Sequence, residues 1–140
     1  MNKTPISDES MKIFSSITSA SQCATVKHFL KGEEGEFFAE TINRIADIWR
    51  AMPKSYETDG QGKAALTHLH YFTMSADWWL IEKDSDLDGE GQIQAFGIAD
   101  LGMGSREYGY ISLVEILDAG AELDFHYTRL TAGEIMKAVK

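Results

Sequence analysis

The chain has 140 residues, of which 44% are hydrophobic and 11% aromatic, a length and composition typical of one globular domain with a single core. Acidic residues outnumber basic ones by 22 to 13, which gives a formal net charge of −9. This charge disfavours direct binding of nucleic acid through a basic face and docking on anionic membranes. It is compatible with a basic protein partner, and a protein partner is what we expect.

The sequence also indicates where the protein works. Cys23 is the single cysteine, so the chain cannot form an internal disulfide. The first ten residues lack the apolar core of a signal peptide, and no apolar run approaches the length of a membrane span. We therefore expect a cytoplasmic protein.

Helical patterns fill the first third of the chain. Ser7 precedes two acidic residues, a combination typical of a helix start, and a second helical stretch runs near residues 20–31. The most regular pattern lies at 36–51, where apolar residues recur at intervals of three and four, and Pro53 ends it. We expect this helix to pack on a sheet through an apolar face that comprises Phe38, Ile42, Ile45 and Trp49.

The pattern changes to strands after Pro53. Segments rich in β-branched and aromatic residues predict strands, and an acidic, glycine-containing turn between two of them predicts a hairpin. The predicted strands span residues 66–74, 78–82, 92–99 and 108–111, and the acidic turn spans 84–91.

Two capping boxes predict short helices near the C-terminus. Ser112 and Glu115 can each accept a hydrogen bond from the other's backbone N–H, and Thr131 and Glu134 have the same spacing. A last strand is predicted between these helices, at residues 123–127.

This order of elements predicts the fold class. Helices come first, then a run of strands, then short helices, and that segregation is typical of an α+β fold rather than of alternating β-α-β units. We expect a single domain in which N-terminal helices pack on a mainly antiparallel sheet. Residues 1–52 would form its helical region and residues 53–140 its sheet-containing region.

The second part of the chain resembles a known family. The resemblance rests on several motifs, namely Pro53 to Tyr56 with Thr58, His70 to Phe72, Asp77 to Trp79 with Glu82, Phe96-Gly97, Glu107 to Leu113 with Glu115, and Leu123 to Tyr127. Together they are similar to the family of domains of unknown function numbered two-nine-five-eight, over about residues 53–135, although Ile111 stands where the family usually has phenylalanine. The resemblance implies a bacterial, mobile-element setting and implies no activity.

The acidic turn contains part of a metal-binding pattern. Asp84, Asp86 and Asp88 precede Gly89 with the spacing of the first half of a calcium-binding loop. Ala95 stands where such a loop carries its bidentate glutamate, and the flanking segments are predicted strands rather than helices. We therefore interpret the segment as a solvated turn, and we expect no bound metal or other cofactor.

Histidines offer an alternative. His68 and His70 lie two apart on one predicted strand, and Asp124 and His126 lie two apart on a later one, so each pair shares a face. If the two strands were neighbours, three imidazoles and a carboxylate could bind zinc and serve a small metal-dependent enzyme. The simpler interpretation is that these histidines are part-buried and hydrogen-bonded.

Aromatic residues are concentrated in the predicted sheet. Trp78 and Trp79 must point to opposite faces of their strand, so one packs in the core and the other covers a second layer or is exposed. An exposed tryptophan beside Tyr110 would anchor a protein partner, because these residue types dominate interface hot spots. We expect the partner to contact Trp78 or Trp79, Tyr110 and the three aspartates of the acidic turn.

These observations lead to one main functional hypothesis. Because no nucleophile and base are recognisable as a pair, we expect a non-enzymatic acidic binding protein rather than an enzyme. Its most specific form is an inhibitor of a host defence or nucleic-acid enzyme, encoded by a phage or plasmid. A structural or regulatory module that dimerises through the N-terminal helices is a further alternative.

Overall fold

A computed structural model describes residues 4–54, 56–83 and 94–137. The chain divides into two compact units, Met1–Ala51 and Met52–Lys140. No helix in the described ranges has both the length and the apolar character needed to cross a membrane.

The first unit consists of three α-helices, α1 (Asp8–Ser16), α2 (Ala20–Leu30) and α3 (Gly35–Ala51). Serine hydroxyls cap the first two: Ser7 Oγ accepts from the backbone N–H of Ser10, and Ser19 Oγ accepts from that of Gln22, each at 3.0 Å. A side-chain acceptor at this position satisfies a backbone donor that the helix leaves unpaired, which fixes where each helix begins.

Helix α3 has the apolar face that its sequence predicts. Ile42, Ile45 and Trp49 are buried, whereas Phe38 is only half-buried and stacks on Phe29 of α2 with ring centroids 5.2 Å apart. Helix α3 is also tied to α1 by a polar contact, because the Arg50 guanidinium donates to Glu9 at 2.7 Å and to Ser10 at 2.7 Å.

The second unit contains a five-stranded sheet in which every neighbouring pair of strands is antiparallel. The strands are β1 (Leu69–Phe72), β2 (Asp77–Lys83), β3 (Gln94–Asp100), β4 (Arg106–Ser112) and β5 (Glu122–Leu123), in the order β4-β3-β2-β1-β5. A short 3-10 helix (Gly62–Ala64) precedes the sheet, and two helices follow β4, α4 (Leu113–Asp118) and α5 (Ala132–Lys137). The predicted α+β class with an antiparallel sheet is confirmed.

The last strand is shorter than predicted. The sequence pattern predicts a strand at 123–127, but β5 ends at Leu123. Asp124 causes the difference, because its side chain accepts from the backbone N–H of His126 at 3.0 Å and so stabilises a turn in place of continued pairing. Strand β1 is also shorter than the predicted 66–74, whereas β2 and β3 pair as the predicted hairpin; the acidic turn between them lies outside the described residues.

Helix α5 covers part of one face of the sheet, which we call the α5 face. Ala132 and Ile135 of α5 pack in one cluster with Trp79, Ile81 and Ile98 of the sheet. Alternate residues of a strand share a face, so the α5 face continues along β3 and β4 beyond the part that α5 covers.

Candidate functional site

An open pocket of about 340 Å³ lies on the α5 face, beside the part that α5 covers. Its walls combine aromatic side chains with carboxylates. We define the aromatic pocket by six of the residues that line it: Tyr56, Asp59, Glu82, Phe96, Tyr108 and Tyr110.

Strands β3 and β4 supply one wall. Their register pairs Phe96 with Tyr110 and Ile98 with Tyr108, so three aromatic rings follow one another on the α5 face. The Phe96 ring lies 6.4 Å from Tyr108 at an interplanar angle of 13°, and 5.6 Å from Tyr110 at 70°. Offset and edge-to-face contacts of this kind hold aromatic rings in fixed orientations. These contacts orient the rings of the wall, although Tyr110 is 69% exposed.

The turn that begins at Tyr56 supplies the opposite wall. Tyr56 has φ of +71°, a left-handed conformation that costs a non-glycine residue about 1–2 kcal/mol. Gly60, with φ of +86°, meets the same requirement without a side-chain clash. A strained turn persists only where neighbouring groups hold it, and here a buried carboxylate does so.

That carboxylate belongs to Glu82 of β2, which is 5% exposed. It accepts from the backbone N–H groups of Tyr56 and Thr58, each at 2.9 Å, and from the Thr58 hydroxyl. A buried charge is costly unless hydrogen bonds satisfy it, and three donors from the turn do so here. Glu82 thus attaches the turn to the sheet and places a negative charge at the base of the aromatic pocket.

Two carboxylates, those of Asp59 and Glu82, line the aromatic pocket. A hydrogen bond with the Tyr56 side chain raises the pKa of Tyr110, and the nearby carboxylates of Glu82 and Asp59 raise this pKa further. Negative charge near a phenol disfavours its ionised form. The pKa of Tyr110 is therefore raised first by Tyr56 and only in smaller part by the two carboxylates.

The structure describes three of the predicted partner-binding residues, and these three lie in different surroundings. Tyr110 lies in the aromatic pocket, whereas Trp79 is only 6% exposed and is the one of the two tryptophans that packs in the core. Trp78 is half-buried at the opposite end of β2, in a groove with Met74 and Leu101. The aspartates of the acidic turn, Asp84, Asp86 and Asp88, lie outside the described residues.

The alternative metal site does not assemble from its four predicted ligands. His70 is close to two carboxylates, with Nε2 2.8 Å from Asp77 and Nδ1 3.1 Å from Asp124, so both ring nitrogens already have partners. His126 is exposed in the turn after β5, and His68 is half-buried. In the described ranges, no group of three or more histidine, cysteine, aspartate or glutamate residues could hold a metal ion.

The histidines instead have structural surroundings. His70 stacks on Trp79 with centroids 5.2 Å apart, and the Arg106 guanidinium carbon lies 4.7 Å from the Trp79 ring centroid. Arg106 also donates to Asp100 at 3.0 Å. Burial, with a smaller contribution from the positive charge of Arg129, lowers the pKa of His68.

These features define a class: an antiparallel meander with short helices, whose open aromatic pocket is closed at its base by a carboxylate. The chain matches the family model described as "Protein of unknown function (DUF2958)" over residues 41–130, and it belongs to this family. The match begins within α3 rather than at Pro53, as the sequence motifs had suggested. No curated protein and no solved structure matches the chain.

Sequence reasoning missed the aromatic pocket, although a signal was present. Most of the residues that line it lie in the motifs of the family resemblance, namely Tyr56, Thr58, Glu82, Phe96, Tyr108 and Tyr110. These motifs are far apart in sequence, and the fold brings them to one place.

Proposed function

We propose that this protein is a non-enzymatic binding protein that holds a protein partner in the aromatic pocket. The observation that carries the proposal is a concave site with fixed aromatic walls, in which Tyr56 and Tyr110 are each 69% exposed. Aromatic side chains with most of their surface open to solvent have much to gain from burial by a partner, and tyrosine is among the residue types enriched at hot spots.

The polar groups of the pocket support binding rather than catalysis. Glu82 is the buried titratable side chain at its base, and its oxygens are engaged by the turn. A general base must reach the proton of a substrate or of a nucleophile, and a carboxylate that accepts three internal hydrogen bonds is poorly placed to do so. Its role is to shape the site and to set its charge.

The charge of the chain supports a basic partner, as the sequence predicts. Rim charges accelerate encounter, whereas desolvated aromatic contacts slow dissociation. The sequence prediction that Asp84, Asp86 and Asp88 contact the partner implies that changing all three to asparagine slows association and weakens its salt dependence. The narrower hypothesis of a mobile-element inhibitor of a host defence or nucleic-acid enzyme stays a prediction.

The test is affinity capture from the native host with the full chain and two variants. Tyr110→Ala removes an exposed wall of the pocket, and Trp78→Ala is the matched control at the other end of the sheet. We expect the wild type and Trp78→Ala to retain the same partner. Tyr110→Ala should dissociate faster, at a cost of about 2 kcal/mol or more for a hot spot.

The outcomes separate the two ends of the sheet. Retention of the partner by Tyr110→Ala with unchanged rates, and its loss with Trp78→Ala, would move the interface to the groove that contains Trp78. Circular dichroism of each variant shows that its fold is intact before binding is compared.

A further inference from the structure

The composition of the aromatic pocket limits what it can bind. Among the described residues that line it, Asp59 and Glu82 carry carboxylates and none carries a basic side chain. Lys63, in the neighbouring 3-10 helix, does not line the pocket, and its Cβ lies 3.1 Å from the position that a Cβ added at Gly133 of α5 would occupy. The pocket therefore attracts positive charge.

Two main-chain donors of the pocket are not available to an anion. The backbone N–H groups of Tyr56 and Thr58 point toward the base of the site, and such groups commonly bind phosphate or carboxylate ligands. Here both donate to Glu82, so neither is available to an anionic ligand, which would also meet the Glu82 charge. Anions are therefore unfavourable occupants.

We propose that the aromatic pocket takes the guanidinium group of an arginine side chain presented by the partner protein, an inference that rests on the proposed function. A guanidinium is planar, stacks on aromatic faces and is more weakly hydrated than an ammonium. Its positive charge is attracted to the faces of tyrosine and phenylalanine rings. The walls of Phe96, Tyr108 and Tyr110 offer such faces around a negatively charged base.

The size and the acceptors of the pocket fit one such side chain. A volume of about 340 Å³ is near the lower end of the range of about 300–1,000 Å³ for ligand pockets, which suits one long side chain rather than a folded segment. A carboxylate has about four lone-pair positions, of which Glu82 uses three for the turn. Asp59 is exposed and adds a second carboxylate at the rim.

The experiment uses blocked amino acids as probes of the full chain. Nα-acetyl-arginine amide carries the guanidinium, and Nα-acetyl-citrulline amide has nearly the same shape without charge. Nα-acetyl-lysine amide carries an ammonium on its side chain. Each is titrated while the backbone amide NMR signals of Tyr56, Gly60 and Gly109 are followed. We expect the arginine probe to bind in the millimolar range and the citrulline probe about tenfold more weakly.

Matched variants place the binding in the pocket. Asp59→Asn should weaken binding of the arginine probe several-fold and leave binding of the citrulline probe unchanged, because the substitution removes a charge and keeps the shape of the side chain. Tyr110→Ala should abolish the shifts, and Trp78→Ala should leave them as in the wild type. Free L-arginine replaces the two amides by an α-ammonium and an α-carboxylate, charges that a peptide-bound arginine lacks, so it should bind more weakly than the blocked probe.

Each contrary outcome overturns a defined part. Equal binding of arginine and citrulline probes would refute a cationic ligand, and tighter binding of the lysine probe would refute a guanidinium. Tighter binding of free arginine would refute a side chain of a protein partner. Absence of shifts with every probe would overturn this inference, whereas partner capture that depends on Tyr110 would still support the proposed function. Arginine binding without Tyr110-dependent capture would refute the proposed function instead.

Discussion

The α5 face contains two aromatic regions, one buried and one exposed to solvent. In the closed half, Trp79 lies under α5 between His70 and Arg106 and is 6% exposed. In the open half, Tyr110 stands in the aromatic pocket and is 69% exposed. Both lie on the same face of the same sheet, so an aromatic residue in a strand does not by itself indicate an interface. Whether such a residue is exposed depends on the element that packs over the strand.

The difference has a simple physical origin. In the closed half, helix α5 removes apolar surface from water, and the polar groups around Trp79 pair with one another. In the open half, the turn after Tyr56 approaches the sheet only as far as the Glu82 carboxylate allows. The closed half should therefore determine stability, and the open half should determine recognition.

The largest expected effect is the loss of Trp79. Replacing a buried tryptophan by alanine removes a large apolar surface and leaves a cavity, so Trp79→Ala should lower the free energy of unfolding by about 3–5 kcal/mol. Tyr110→Ala is the control in the open half and should stay within about 0.5 kcal/mol of the wild type. Denaturant unfolding measures the free energy of unfolding of both variants. Similar decreases for the two would contradict the conclusion that the closed half determines stability.

The next effect tests how closely the strands approach one another. A Cβ at Gly97 would lie 1.8 Å from the carbonyl oxygen of Trp79, so Gly97→Ala must shift the backbone. We expect a loss of about 3 kcal/mol, the upper part of the range for overpacking. Gly109 is its direct partner in β4 and has open space, so Gly109→Ala should change stability little. Thermal unfolding that is equal in both variants would contradict the close approach.

A smaller effect is expected at His70. His70→Ala removes the ring whose two nitrogens contact Asp77 and Asp124 and which stacks on Trp79, and both carboxylates stay partly solvated. We expect a loss of about 1–2 kcal/mol, since the orphaned groups regain water. The control is His126→Ala in the exposed turn, with a change near zero. If stability were unaffected by His70→Ala while bound zinc was lost from both variants, the metal hypothesis would replace the structural one.

The smallest effect concerns pH. A hydrogen bond from the Gly102 backbone N–H, together with one from Arg106, lowers the pKa of Asp100. An unfolded aspartate has a pKa of about 3.9, so this carboxylate stabilises the fold above that value, and the contribution is lost as pH falls through the lower folded pKa. Stability of Asp100→Asn should thus fall less steeply than that of the wild type during acidification below about pH 4. Exposed Asp118→Asn serves as control, and parallel curves for all three proteins would exclude Asp100 as a contributor.

Local signals in the sequence predict much of the fold. Serines placed ahead of α1 and of α4 mark helix starts that the structure confirms, and the antiparallel pairing follows from short strands and tight turns. The predicted end of β5 was wrong, because the Asp124 side chain accepts a hydrogen bond that stabilises a turn instead of a longer strand. The alternation of apolar and polar residues carries no information on that hydrogen bond.

The site was much less predictable. Its walls come from the turn at Tyr56, from β2 and from the β3–β4 pair, and only the register places them together. Sequence analysis singled out Tyr110 and the motif residue Glu82, but it left open which of Trp78 and Trp79 is buried. Which of two adjacent tryptophans is buried depends on α5, whose contact with β2 crosses more than fifty residues of chain.

The way Glu82 holds the pocket wall has a consequence for how binding preference can change. Two of its three hydrogen bonds go to main-chain groups, at Tyr56 and Thr58, so the position of the turn depends little on the side chains that project from it. Substitutions at exposed positions such as Asp59 can then alter the ligand preference while the wall stays in place. The side chains of the turn can therefore change while its backbone stays in place, so the ligand specificity of the pocket can diverge without a change of fold.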